Sequence, residues 1–85
     1  MNDHWLVTFR SVTFAQKAEQ VLKGAGIRCA MQRTPKELSK RGCGYCLRIR
    51  GADVLAAVGL LQEKQAPYEK IYALTERGRP EEREL

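Results

Sequence analysis

Ile27-Arg28-Cys29-Ala30-Met31-Gln32-Arg33, read together with Tyr45-Cys46-Leu47-Arg48-Ile49-Arg50, decides the fold. In the first run Ile27, Cys29 and Met31 fall on one side and Arg28, Ala30 and Gln32 on the other. That is the period-two pattern of a half-buried strand. In the second, Tyr45, Leu47 and Ile49 alternate with Cys46, Arg48 and Arg50 in the same way. Pro35 closes the first run, and residues 35–42 form a polar connection with room for one short helical turn. Two consecutive strands therefore sit at the centre of the chain.

Helical periods flank them. Trp5–Arg10 is β-rich and reads as a first strand. Ser11 and Thr13 can each cap the helix that follows, Thr13 having capping-box spacing with Gln16. Phe14, Ala18, Val21, Leu22 and Ala25 then recur at helical spacing, and Gly24 and Gly26 offer a stop. On the other side Asp53 can cap a second helix with the stripe Val54, Ala57, Val58 and Leu61, widened by Leu55 and Leu60. Pro67 follows it, and Tyr68–Leu74 reads as a last strand.

The order β-α-β-β-α-β predicts an α+β, ferredoxin-like sandwich: a four-stranded antiparallel sheet with both helices on one face. Leu6, Phe14, Val21, Leu22, Ile27, Leu47, Val58 and Leu61 are expected in one core. Eighty-five residues suit one domain, assigned to 1–75, and the charged composition of 76–85 predicts a disordered tail.

The longest apolar run, Val54–Leu61, is too short to span a bilayer, and the polar N-terminus does not read as a signal peptide. A cytoplasmic protein with reduced thiols is expected; three cysteines would in any case leave one unpaired. His4 is the lone histidine and only one cysteine pair has ligand spacing, so no metal site is expected. The net charge of +5 permits nucleic-acid binding, but no RNA-binding signature marks the third strand. Nucleic acid is disfavoured as a partner.

The chemistry concentrates in Gly42-Cys43-Gly44-Tyr45-Cys46-Leu47-Arg48. Residues 28–50 hold seven basic side chains and one acidic, a local balance of +6. Nearby cations favour the reactive thiolate form of cysteine. Lys40, Arg41 and Arg48 bracket Cys43, and a glycine turn can offer its amides to an anion, so Gly44, Arg48, Lys40 and Arg41 form a candidate anion-binding set. Cys46 is a possible second thiol. On an extended strand Cys43 and Cys46 would point to opposite faces, so they meet only if residues 42–44 turn. Cys29, on the apolar side of its strand, reads as a core residue.

Over about Trp5–Leu74 the arrangement resembles a family of small bacterial domains described as selenium/sulfur carriers. The resemblance rests on the helix Ala15–Lys23, Gly26-Ile27, Thr34-Pro35 and, most specifically, Cys43-Gly44-x-x-Leu47-Arg48. It implies that Cys43 is a carrier thiol holding a persulfide or perselenide, with Gly44 as its turn partner and Arg48 as its basic neighbour. It also implies a cysteine desulfurase or selenium-metabolism protein as partner, no cofactor, and a carrier rather than an enzyme with turnover. The residues leave two other readings open: a module that binds a small anion or a partner without covalent chemistry, and a thiol-disulfide oxidoreductase using Cys43 and Cys46.

Overall fold

Ser11 starts the first helix. Its hydroxyl accepts the Phe14 amide at 3.3 Å, satisfying one of the donors that a helix N-terminus leaves free. Of the two cap candidates it is Ser11 that acts, with Thr13 already inside the helix. The structure is a computed structural model and describes residues 3–38, 44–75 and 77–84. The elements are β1 (His4–Thr8), α1 (Val12–Gly24), β2 (Cys29–Arg33), a 3-10 turn at Lys36–Leu38, β3 (Tyr45–Arg50), a 3-10 turn at Gly51–Asp53, α2 (Val54–Glu63), β4 (Ile71–Leu74) and β5 (Pro80–Arg83). Asp53 precedes α2 as expected but makes no side-chain cap bond.

The sheet has five strands in the order β2-β3-β1-β4-β5, each pair antiparallel. Alternation divides its two faces. Val7, Phe9, Leu47, Ile49 and Ile71 join Ala15, Ala18 and Leu22 of α1 and Val54, Ala57, Val58 and Leu61 of α2 in one buried cluster. Both helices therefore cover the same face. Leu6 is fully buried too, but it sits on the opposite face of the central strand β1, outside that cluster. Phe14, expected in the core, is 38% exposed: it lies in the first turn of α1, before the helix has come over the sheet.

The expected α+β class holds, but the expected count of four strands does not. Residues 80–83, assigned to a charged tail, form β5 and pair with β4 in the register Leu74↔Pro80, Ala73↔Glu81, Tyr72↔Glu82 and Ile71↔Arg83. The hairpin between them closes with Thr75 N donating to Arg79 O at 2.8 Å and Gly78 N to Thr75 O at 2.8 Å. Gly78 adopts φ +77°, a backbone that glycine takes without strain. An apolar count misses such a strand because it is held by ladder hydrogen bonds and contributes no side chain to the core.

Candidate functional site

The connection that carries the expected thiol leaves and rejoins the sheet at one hydrogen bond. Thr34 N donates to Gly44 O at 2.8 Å, one step beyond the Arg33↔Tyr45 pair of β2 and β3. Gly44 is exposed, and a Cβ placed there would meet no atom within 4 Å, so its role is carried by the backbone carbonyl. Cys43, Lys40 and Arg41 lie outside the described residues, as does any pairing of Cys43 with Cys46.

Cys46 opens the buried part of β3. It has no exposed surface and sits between its cross-strand partners Thr8 and Gln32, on the face away from the helices. Arg48 follows on the same face, exposed, with Nη2 3.5 Å from His4 Nε2. Arg50 is the cross-strand partner of His4, so Arg48, Arg50 and His4 form a basic patch on the face away from the helices. Arg48 lies four residue steps along the chain from Gly44, about 13 Å at 3.2–3.4 Å per residue. Proximity in sequence does not put the Arg48 Cα next to Gly44.

Cys29 is half-buried on β2 and packs against the core. Burial pushes its thiol up from the ordinary value; the Glu19 carboxylate adds to this and the Lys23 ammonium opposes it. Glu19 and Lys23 pair with each other at 3.4 Å one helical turn apart. Alternation puts Cys29 on the apolar side of its strand, and it packs half-buried against the core rather than within it.

At the same end of the sheet as Gly44 the reading of the sequence missed a groove of about 370 Å³ lined by Arg10, Phe14, Pro67 and Tyr68. These residues come from three separate segments. The only sequence signal was the aromatic at the third helical position, which periodicity assigned to the core.

No group of His, Cys, Asp and Glu among the described residues could hold a metal ion, and no described helix is long and apolar enough to cross a membrane. No curated protein and no solved structure matches the chain. The family model described as "Putative Se/S carrier protein-like" matches residues 4–73, from the first residue of β1 into β4, and the chain belongs to that family.

Proposed function

We propose that this protein carries sulfur or selenium as a persulfide or perselenide on Cys43. The observation that supports the choice of residue is the withdrawal of the other two thiols. Cys46 has no exposed surface, and burial holds Cys29 protonated. In a family described by chalcogen carriage, Cys43 is the remaining thiol. The carrier domain is read as the ferredoxin-like unit from β1 to β4, with β5 appended.

The chemistry needs no cofactor. The Cys43 thiolate attacks the terminal sulfur of a partner's persulfide. A new S–S bond forms, the partner's S–S bond breaks, and the partner's cysteine leaves as thiolate with the electron pair. Delivery is the same exchange in reverse, with an acceptor nucleophile attacking the terminal atom. Lys40 and Arg41, nearest in sequence, and Arg48 supply positive charge that favours the thiolate and the terminal anion. The donor is a cysteine desulfurase or a selenium-metabolism protein, and the reaction belongs to the cytoplasm.

Incubation with a cysteine desulfurase and L-cysteine, followed by intact-mass analysis, tests this. One added sulfur is expected on the chain and on its Cys29→Ser variant, and none on Cys43→Ser. A Cys43→Ser protein that still gains sulfur overturns the assignment. The patch of Arg48, Arg50 and His4 favours a second reading, in which the domain binds an anionic partner without covalent chemistry. Under that reading no sulfur is added to any variant, and replacing Arg48 weakens the partner's binding.

A further inference from the structure

The exposed apolar side chains of this protein are not scattered. Four large ones are exposed among the described residues: Val12 (39%), Phe14 (38%), Tyr45 (38%) and Leu55 (70%). The topology puts three of them at one end. β1 finishes at Thr8, opposite Cys46, and α1 starts directly after it, so Val12 and Phe14 stand at the end of the sheet where Tyr45 begins β3. Leu55 opens α2 at the other end. Pro67 and Tyr68 approach β4 at the first end, where Glu69 N donates to Thr8 O at 2.7 Å and Thr8 N to Lys70 O at 2.9 Å.

There the groove of Arg10, Phe14, Pro67 and Tyr68 shares Pro67 and Tyr68 with a second groove of about 420 Å³, whose lining includes Leu61 and Ala66. One contact holds the Tyr68 ring of the groove, and another the Tyr45 ring at the same end of the sheet. Gln62 Nε2 donates to the Tyr68 hydroxyl at 3.1 Å, and the Arg33 guanidinium stands 5.8 Å from the Tyr45 ring centre. Arg10 makes no ion pair among the described residues. Glu69, Glu82 and Glu84 lie beyond Tyr68 on the β5 side, where Lys70 and Arg83 stand among them and Lys70 pairs with Glu82 at 3.4 Å, whereas Arg33, like Arg10, makes no ion pair among the described residues.

We propose that this end of the sheet docks the protein that supplies the chalcogen, through a partner surface with an apolar centre and carboxylates facing Arg10 and Arg33. The proposal rests on the carrier reading of Cys43. Sulfur transfer requires two sulfur atoms to be held in contact, and docking beside the reacting group provides that orientation. The connection bearing Cys43 leaves the sheet at Gly44, on this same end. Aromatic and arginine side chains around an apolar centre are the composition that carries binding energy at interfaces. A second copy of the chain is the poorer occupant, since a two-fold contact through this surface would bring like charges at Arg10 and Arg33 together.

The experiment compares two sulfur donors on the full chain: a cysteine desulfurase with L-cysteine, and glutathione persulfide, which needs no docking surface. Arg10→Glu and Phe14→Ser change the proposed surface; Leu55→Ser changes the exposed apolar residue at the other end and serves as the control. Circular dichroism verifies that each variant is folded. At sub-saturating desulfurase, Arg10→Glu and Phe14→Ser are each expected to slow loading about thirtyfold, the loss of one interface hot spot. Loading from glutathione persulfide should stay unchanged in all variants, and Leu55→Ser should match the parent with both donors. Unchanged desulfurase loading in both surface variants overturns the proposal. Equal slowing from both donors does the same, as does a parent loaded by glutathione persulfide but not by the desulfurase. A parent loaded by neither donor overturns the carrier reading itself, and this surface assignment with it.

Discussion

A thiol attacks as its thiolate, so the burial that raises Cys29 makes it a slow nucleophile at neutral pH. Iodoacetamide labelling followed by peptide mass should show Cys29 reacting more slowly than the same peptide unfolded. The same shift carries a stability signature. The folded chain keeps the Cys29 proton to higher pH than the unfolded chain, whose thiol titrates near the ordinary value of 9.0. Stability is therefore full below that value and is lost as pH rises through the higher folded value. Urea midpoints measured from about pH 8 to pH 10 should fall more steeply for the parent than for Cys29→Ala. Arg48 calls for a smaller expectation than its sequence position suggests. Its Cα lies about 13 Å along β3 from Gly44, and a Debye length of about 8 Å at physiological salt screens exposed charges at that range. Arg48→Met should slow labelling of Cys43 less than Lys40→Met or Arg41→Met does, with the gap narrowing at low salt.

At the scale of single elements, α1 is fastened at both its start and its buried face. Leu22 has no exposed surface in the cluster between α1 and the sheet, so Leu22→Ala should cost about 2–5 kcal/mol in urea unfolding. Ser11→Ala, which removes a long and exposed cap bond, should cost about 0.5–1 kcal/mol. The strand pair β2 and β3 and both helices were legible from their periods, and β3 runs from Tyr45 to Arg50 as the alternation indicates, though Cys46 is buried on the face away from the helices and Tyr45 is exposed. Leu6 shows the limit of that logic. In a strand flanked by β3 and β4, both faces can be buried, and alternation alone does not say which side the helices take. Tyr68–Lys70 was read as strand and is joined to Thr8 by hydrogen bonds, yet the regular ladder begins only at Ile71. The groove around Phe14 was illegible for a different reason. Arg10, Phe14 and Tyr68 are neighbours only after β1, α1 and the approach to β4 have met at one end of the sheet.

For the whole molecule the strand that matters most is the last. β5 has no buried residue, and its exposed ion pair between Lys70 and Glu82, at 3.4 Å, is worth about 0.2–1 kcal/mol. Its amides should exchange with deuterium faster than those of any other strand, because no side chain anchors it in the core. Alternation from the bonded Thr75–Arg79 pair puts Pro80 where its missing N–H is not needed and Ala73↔Glu81 in a bonded pair. Glu81→Pro should therefore detach β5 while leaving β1 to β4 folded, which exchange measurements on both sets of amides will separate. The matched family region stops at residue 73, so β5 lies wholly beyond it. With β5 in place, the outermost row of the sheet on this side reads Pro-Glu-Glu-Arg; with it gone, the row is Ile-Tyr-Ala-Leu with bare N–H and C=O groups. Such a row is a template for amyloid. Thioflavin fluorescence should then climb with a lag in concentrated Glu81→Pro and stay flat in the parent, making the C-terminal ribbon the chain's guard against fibre growth.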